Sequence, residues 1–251
     1  MTAEHHERPV TSLQFIPVKT RPFLPPRDSI YSLLDDHLPP LEDGDILVIT
    51  SKVLAIHQGR CVKISPDVDR LALAARESDR YITVEDYYIL AVRDHTLLPN
   101  AGLDESNGNG HYILMPKNVA PLLSRIRRRL KNKNGIERLG LITTDSHTIP
   151  LRAGVLGISV GFCGIEPLKD YRGKPDIFGR LIAFSRANVV DALAAMSVLI
   201  MGEGSESQPL LIIRGADFVS FTDKPAYEKL ILQEHEDLYS PLLKIMNRPT
   251  E

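Results

Sequence analysis

The stretch that decides the fold is Gly44-Asp45-Ile46-Leu47-Val48-Ile49-Thr50-Ser51-Lys52. Its four consecutive apolar residues, three of them β-branched, are typical of a strand buried on both faces in the middle of a sheet. The strand ends in a hydroxyl and an ammonium, Ser51 and Lys52. Ligands of α/β sheets usually bind at the carboxyl ends of the strands. The stretch therefore indicates an α/β fold and a candidate binding edge, although a polar strand end without a ligand fits the same residues.

Hydrophobic periodicity and turn residues predict the remaining elements. Strands are expected over residues 13–18, 87–92, 112–115, 139–142 and 210–213. Helices are expected from residue 28 or 29 to 37 and over 65–79, 119–131, 187–201 and 224–238. The helix over 187–201 is nearly all apolar, so we expect it to be buried. These elements predict the α/β class, with mixed β-sheets and flanking helices.

The composition is that of an ordinary globular protein, with 43% hydrophobic and 25% charged residues among 251. The net charge of −2 gives no sign of a nucleic-acid-binding surface. The basic run 125–133 falls on a predicted helix, where a solvated face is favoured over an RNA or membrane patch. We expect no nucleic-acid partner. The predicted organisation is a flexible segment over 1–12, one domain over 13–240 with room for two subdomains, and a tail over 241–251.

Cysteine usage and hydropathy predict a cytoplasmic protein. Cys61 and Cys163 lie far apart, which favours a reducing compartment over a disulfide scaffold. The N-terminus lacks the apolar segment of a signal peptide. The apolar run 189–201 is too short to span a bilayer, so no membrane partner is expected.

An oxygen-rich loop follows the strand predicted over 87–92. It is Asn100-Ala101-Gly102-Leu103-Asp104-Glu105-Ser106-Asn107, with two carboxylates, two carboxamides and a hydroxyl. Clustered oxygens of this kind bind hard divalent cations, and they also occur in solvated turns. The strand over 139–142 likewise runs into hydroxyls and Asp145. Two such strand ends can share a divalent cation, with Asp104 and Asp145 as anionic ligands.

Three further loops carry possible chemistry. Backbone N–H groups of the loop 201–208 can hold phosphates, and its Glu203 can bind the metal that neutralises them. The glycine-rich run 154–164 permits close approach to a backbone or a ligand but matches no known dinucleotide or P-loop motif. The charged segment 170–180 is explained equally by structural ion pairs and by binding of a substrate carboxylate.

Five of these segments together resemble the coenzyme F420:L-glutamate ligase family, the F420-0 γ-glutamyl ligases, and their folate-directed relatives. The resemblance rests on GDILVITSK (44–52), NAGLDESN (100–107), ITTDS (142–146), DYRGKPDIFGR (170–180) and MGEGSESQP (201–209), in the family's order and spacing. It covers most of the chain between residues 15 and 215. It implies the family's α/β fold and a homodimer with extensively shared elements.

The resemblance also implies a reaction. A nucleoside triphosphate, GTP in the deazaflavin enzymes, activates a substrate carboxylate as an acyl phosphate, and the amino group of L-glutamate attacks it to give a γ-linked peptide. Phosphoryl transfer depends on positioning and charge neutralisation, which a pair of divalent cations, Mg²⁺ or Mn²⁺, can supply. The expected partners are ATP or GTP, L-glutamate, and tetrahydrofolate or F420-0.

The family's functional residues are carried over position by position. The resemblance makes Asp104, Asp145 and Glu203 the catalytic residues, with Asp104 and Asp145 on the first metal and Ser146 and Glu203 on the second. It implies nucleotide contacts at Arg21, Pro22, Phe23, Leu24, Ser51, Lys52, Asn107, Met201, Gly202, Gly204, Ser205, Glu206, Ser207 and Gln208.

Three departures from the family pattern concern the substrates. A family lysine is here Ile56, so its phosphate contact is lost or supplied by Lys52 or His57. An acidic segment is replaced at 117–120, and a Gly-Arg pair is absent after Ser146. The run 104–112 is closer to the folate-metabolism branch, so tetrahydrofolate is the favoured acceptor and F420-0 the alternative. A non-catalytic nucleotide-binding homologue is a further alternative, motivated by the same departures.

Overall fold

A five-stranded mixed sheet lies at the centre of the computed structural model, which describes residues 12–84 and 86–249. The strands are β1 (Gln14–Val18), β2 (Asp45–Thr50), β3 (Cys61–Lys63), β4 (Arg80–Val84), β5 (Tyr88–Arg93), β6 (Thr96–Pro99), β7 (His111–Ile113), β8 (Leu139–Thr148), β9 (Val155–Cys163), β10 (Leu168–Asp170), β11 (Arg186–Asn188) and β12 (Leu210–Arg214). The helices are α1 (Ile30–His37), α2 (Ser51–His57), α3 (Arg70–Arg76), α4 (Val119–Asn134), α5 (Val189–Met201) and α6 (Ser240–Leu243). The segment predicted to be flexible, 1–12, lies outside the described residues except for Ser12.

The central sheet has the order β1-β12-β2-β8-β9, with β2 and β8 parallel and the other neighbours antiparallel. Smaller sheets pair β3 with β7, β4 with β5 and β6, and β10 with β11. This mixture of sheets with flanking helices confirms the predicted fold class.

Strand β2 occupies the middle of the sheet and is covered on both faces. Leu47 and Ile49 pack in a cluster with residues of α1 and α4, whereas Ile46 and Val48 pack on the opposite face with residues of α5. All four are fully buried. Successive side chains of a strand point to opposite faces, so an unbroken apolar run requires cover on both sides. The buried central strand expected from the sequence is confirmed.

Strand β8 is longer than the sequence predicted. Its first half pairs with β2, and beyond the expected end at residue 142 it continues in a hairpin with β9. A register shift between Thr143 and Thr144 marks the change. Asp145 pairs with Ile158 and Ser146 with Gly157, so the predicted loop is strand. The polar side chains after residue 142 were read as the end of the strand. The backbone of these residues is nevertheless hydrogen-bonded to β9, and a local sequence pattern does not show such a partner.

The helix predicted over 65–79 begins later and ends sooner. Asp69 caps α3, and its Oδ1 accepts hydrogen bonds from the amides of Leu71 and Ala72 at 2.9 and 3.0 Å. Ser65 and Pro66 precede it in a turn region, so the capping signal was assigned to the wrong residues. The sequence also missed β4 and β6, the two hairpin partners of β5.

The prediction of an amphipathic helix over 224–238 is wrong. Single 3-10 turns occupy Tyr227–Lys229 and Glu234–Glu236, and α6 follows. A tertiary contact holds this segment, since Glu234 pairs with Arg80 at 2.6 Å. Farther along the chain, Asn247 exchanges backbone hydrogen bonds with Tyr81 at 2.7 Å each. The apolar residues at helical spacing belong to an irregular segment, in which Tyr227 and Leu230 pack against the core without an α-helix.

Surface features agree with the sequence in two respects. Helix α4 buries four apolar side chains, and its basic residues pair at the surface, Arg129 and Lys133 with Asp35 at 2.6 and 2.8 Å. Basic residues of the run 125–133 therefore lie at the surface, where Asp35 pairs with two of them. Both cysteines are free, as expected. No helix within residues 12–84 and 86–249 is long and apolar enough to cross a membrane.

The glycine-rich run 154–164 serves close packing within the chain. A Cβ on Gly157 would lie 2.4 Å from the backbone oxygen of Ala194 in α5, and one on Gly164 would lie 2.2 Å from the carbonyl oxygen of Leu139. On Gly161 it would meet a side chain instead, Val119, at 2.5 Å. The sequence left open whether these glycines approach a backbone or a ligand. At these three positions the glycine lies close to other residues of the chain.

We expect Gly157→Ala to destabilise the protein more than Gly161→Ala. The first must move a helix backbone, whereas the second can be relieved by a side-chain rotation; overpacking of this kind costs about 1–3 kcal/mol. Thermal unfolding of both variants measures the difference. Equal melting temperatures would show that α5 is not held against β9 at Gly157.

Candidate active site

A cavity of about 570 Å³ opens at the carboxyl ends of the parallel strands β2 and β8. Every residue that the sequence predicted for the site lines it except Ser51, which is buried beneath it. Further lining residues not predicted for the site are Thr20, Pro25, Thr50, Val53, Ile56, Ser106, Asn109, Thr144, Val198 and Pro209. Parallel neighbours end at the same edge of a sheet, which explains why residues far apart in sequence meet here.

Backbone hydrogen bonds join the loops around the cavity. The Thr20 amide donates to the carbonyl of Ser207 at 2.9 Å, and the Thr50 amide donates to that of Pro209 at 3.0 Å. The Asn107 carboxamide donates to the carbonyl of Gly204 at 3.0 Å. The loop 201–208 is thereby fixed both to the early loop, which we define as residues 19–29 between β1 and α1, and to the oxygen-rich loop 100–107.

Lys52 and Asp104 form the charged centre of the cavity. The Lys52 ammonium donates to Asp104 Oδ2 at 2.7 Å and to the carbonyl and hydroxyl of Ser106 at 2.7 and 3.0 Å. Burial by itself raises the pKa of Asp104, but the hydrogen bonds from Lys52 and Ser106 outweigh it and the pKa is lowered. Asp104 is therefore held as an anion.

Asp145 has the opposite electrostatic character. Burial raises its pKa to about 7, and the negative charge of Asp104 adds to the effect, against opposing contributions from the Ser146 amide, Lys52 and the Ser51 hydroxyl. At pH values below about 7 the Asp145 carboxyl group is therefore mostly protonated. Lys52 alone does not compensate both carboxylates.

A second polar pair lies at the rim. The Ser146 hydroxyl donates to Glu203 Oε1 at 2.7 Å, which joins the end of β8 to the loop 201–208. Within the described part of the chain, no three His, Cys, Asp or Glu side chains form a metal-binding group. The donors available at the edge are therefore carboxylates in ones and twos, supplemented by hydroxyls.

The two residues predicted as substitutes for the lysine that Ile56 replaces, Lys52 and His57, lie in different surroundings. Lys52 and Ile56 are one turn apart on α2, and both line the cavity. His57 does not line it; its Nδ1 lies 3.2 Å from the carbonyl oxygen of Asp28. Of the two, only Lys52 is placed to contact a ligand.

Arg21 shapes the early loop. Its guanidinium pairs bidentately with Asp28 at 2.5 and 2.9 Å, and Asp28 Oδ2 also accepts a hydrogen bond from the Leu24 amide at 3.1 Å. The Arg21 pair lowers the pKa of Asp28 to about 2. Phe23 and Leu24, next to Arg21 in the chain, line the cavity.

Thr144 is the most informative residue that the sequence did not single out. It lines the cavity at 1% exposure, and its Oγ1 has no hydrogen-bond partner among the described residues. Its position next to Asp145 was the one signal in the sequence that could have pointed to it.

The charged segment 170–180 does not line the cavity. Within this segment, Arg172 pairs with Asp170 at 2.6 Å.

Comparison with known proteins identifies the family. The family described as F420-0:Gamma-glutamyl ligase matches residues 20–215. The coenzyme F420:L-glutamate ligase of Methanocaldococcus jannaschii is 32% identical over 217 residues, covering 80% of this chain and 86% of that protein. The ligase of the same name from Archaeoglobus fulgidus is 28% identical over 249 residues, covering 92% and 98%. The chain therefore belongs to the F420-0:gamma-glutamyl ligase family, whose members are ligases that form a carbon–nitrogen bond.

Proposed function

We propose that the protein uses a nucleoside triphosphate to join L-glutamate to F420-0 through an acyl phosphate. The observation that carries the proposal is the strand-edge cavity, which is lined by Asp104, by Asp145 and by the loop 201–208 with its Glu203. The relatives are named for coenzyme F420, and this favours F420-0 over the tetrahydrofolate acceptor preferred from the sequence. Tetrahydrofolate becomes the alternative.

Two divalent cations, Mg²⁺ or Mn²⁺, fit the donor set. Asp104 and Asp145 would hold the first, and Ser146 and Glu203 the second. The raised pKa of Asp145 supports this, because a buried carboxyl beside another carboxylate gains stability from a bound cation. When bound, such cations neutralise phosphate charge during phosphoryl transfer.

The nucleotide is assigned to the space between the early loop and the loop 201–208. Phe23 and Leu24 offer an apolar wall for a base, and Lys52 and Asn107 offer donors to phosphate oxygens. Four carboxylates line the cavity, Asp104, Asp145, Glu203 and Glu206, against two cations, Arg21 and Lys52. A triphosphate enters such a cavity favourably only with additional positive charge.

Residues of the chain divide the remaining work between orientation and charge. Lys52 holds Asp104 ionised, and it would be available to donate to a phosphate if a cation were bound to Asp104. The Ser146–Glu203 hydrogen bond places Glu203 beside β8 before substrate arrives. The bonds from Thr20, Thr50 and Asn107 keep the loop 201–208 in place.

The test is a mass-spectrometric assay with Mg²⁺ or Mn²⁺, ATP or GTP, and L-glutamate, offering F420-0 and tetrahydrofolate in parallel. We expect a product one glutamyl unit heavier from F420-0. The same gain from tetrahydrofolate alone would make the folate branch correct. Phosphate release that does not require glutamate would indicate a phosphotransferase, and nucleotide binding without turnover would indicate the non-catalytic homologue.

We also propose that the protein is a homodimer. The family resemblance implies one, and the exposed apolar residues of α5 support it. The sequence predicted this helix to be buried, but Met196 and Leu199 are 45% and 77% exposed. A second copy of the chain would supply the missing cover.

A further inference from the structure

The Lys52 ammonium has no hydrogen left for a ligand in the structure. It donates to Asp104 Oδ2 at 2.7 Å, to the carbonyl oxygen of Ser106 at 2.7 Å and to the Ser106 hydroxyl at 3.0 Å. A lysine ammonium has three hydrogens to donate and accepts no hydrogen bond. All three are therefore engaged, although Lys52 lines the cavity and is the donor proposed for a phosphate.

Ser106 joins Lys52 to Asp104. This serine lines the cavity but was not predicted for the site. Its amide donates to Asp104 Oδ1 at 2.8 Å, and its hydroxyl donates to Asp104 Oδ2 at 2.8 Å. Two of the three acceptors of Lys52 also belong to it. Ser106 thus orients both oxygens of the carboxylate and directs the ammonium towards them.

No other positive side chain of the cavity is free to replace Lys52. Among the described residues that line the cavity, Arg21 is the one other cation, and Asp28 holds its guanidinium bidentately at 2.5 and 2.9 Å. Position 56, where the family resemblance implies a lysine, is occupied by Ile56. A polyphosphate that enters the cavity in this state meets carboxylates and no unpaired cation among these residues.

We propose that Ser106 is a positioning residue for an exchange of partners by Lys52. Ser106 keeps Lys52 on Asp104 while no cation is bound there, and Lys52 passes to the phosphate groups when a cation binds Asp104. The inference rests on the proposed function, which assigns a cation to Asp104 and a nucleoside triphosphate to the cavity. The ammonium and a divalent cation are attracted to the same carboxylate oxygens, so they compete for them. The lysine side chain is flexible and its three donors rotate, so the ammonium can change partner without a movement of α2.

The exchange couples binding of the cation to binding of the phosphate groups. A bound cation adds positive charge and also releases a donor that was engaged before. By linkage, phosphate groups that hold Lys52 raise the affinity of Asp104 for the cation by the same factor. A polyphosphate should consequently bind poorly before the cation does.

Binding of inorganic tripolyphosphate in the presence of a chelator tests the exchange without turnover, by isothermal titration calorimetry on the whole chain. Asp104→Asn removes the ionic partner of Lys52 and should tighten binding. Glu206→Gln is the matched control, because it removes a carboxylate that lines the same cavity but accepts from the Gly204 amide at 2.8 Å rather than from Lys52. The gain should be larger for Asp104→Asn by roughly 10-fold, the factor for one charged hydrogen bond. Equal gains would overturn the proposal.

Lys52→Met in two backgrounds shows whether the ammonium is what Asp104→Asn releases. In the chelator, Lys52→Met alone should leave the affinity for tripolyphosphate nearly unchanged, because the ammonium is engaged elsewhere. Added to Asp104→Asn, it should weaken binding by roughly 10-fold. Residues that act on each other show such non-additive effects. The same loss in both backgrounds would refute the exchange.

Ser106→Ala tests the positioning role without changing a charge. It takes one acceptor from Lys52 and one donor from Asp104, so binding of tripolyphosphate in the chelator should tighten by about 2- to 10-fold. Ser106→Thr keeps the hydroxyl and should bind as the wild type does. An affinity that is unchanged or lower in Ser106→Ala would contradict the role of Ser106. This variant keeps both charges and therefore decides the question even if Asp104→Asn does not fold.

These measurements are independent of the ligase function. None of them uses L-glutamate or an acceptor, so the exchange can be confirmed even for a protein that glutamylates neither acceptor. Conversely, a glutamylated product together with additive effects of Lys52→Met and Asp104→Asn would support the ligase function and refute the exchange.

Discussion

Asp145→Asn is expected to abolish ligase turnover and, at the same time, to make the metal-free protein more stable at pH 7. Activity should fall on the order of 10²- to 10³-fold, the loss typical of removing one group that organises charge in a transition state. Stability should rise because burial, assisted by Asp104, raises the pKa of Asp145 to about 7. An asparagine has the same shape and no charge to bury.

The sign of the pH dependence follows from proton binding. In the unfolded chain Asp145 loses its proton near pH 4, whereas in the folded, metal-free protein it keeps it until about pH 7. Between these values the folded state binds more protons, so its free energy of unfolding decreases as the pH rises. Thermal unfolding in a chelator between pH 4.5 and 8 measures this slope. Asp145→Asn should flatten it.

Asp104→Asn is the matched comparison. Its activity should fall similarly, but the pKa of Asp104 is lowered by Lys52 and Ser106, so its ionised form stabilises the fold above the unfolded pKa. That stabilisation is lost as the pH decreases through the lowered pKa. Asparagine at 104 should therefore destabilise where asparagine at 145 stabilises. Two variants with the same stability change would contradict the electrostatic assignment of the two carboxyl groups.

Lys52→Met should lower activity by roughly 10²-fold, since it removes the charged hydrogen-bond donor proposed for phosphate and leaves Asp104 beside Asp145 without a counter-charge. The apparent KM for the nucleotide should rise. Steady-state kinetics at several nucleotide concentrations separate this effect from a change in kcat.

Ile56→Lys in the Lys52→Met background should recover part of the lost activity. Residues 52 and 56 are one helical turn apart and both line the cavity, so an ammonium at 56 can reach the same phosphate. The position is 2% exposed and packs with Ala55 and Ile113, so some stability should be lost. Ile56→Met is the control and should restore nothing. Full activity in Lys52→Met would remove Lys52 from the nucleotide site.

The sequence predicted the residues that line the cavity more completely than the secondary structure around them. Residues 46–49 required a central strand, and the carboxyl end of such a strand is a physical reason to look for ligands at Lys52. The length of β8 was not predictable, because the backbone of Asp145 and Ser146 is satisfied by β9 rather than by a local pattern. The irregular segment 224–238 was missed for the same reason. Periodicity reports which side chains are apolar, not which backbone groups find partners elsewhere.

The hydrogen bonds between loops bear on when the site appears during folding. The bond from Thr20 to Ser207 and that from Asn107 to Gly204 join positions 187 and 97 residues apart. The cavity thus depends on contacts that span most of the described chain, and contacts of long sequence separation form late. A nascent or partly folded chain therefore lacks the complete cavity, which is the proposed nucleotide site. Nucleotide capture would then report that the last distant loops have come together, and saturating nucleotide would favour the finished fold over its precursors.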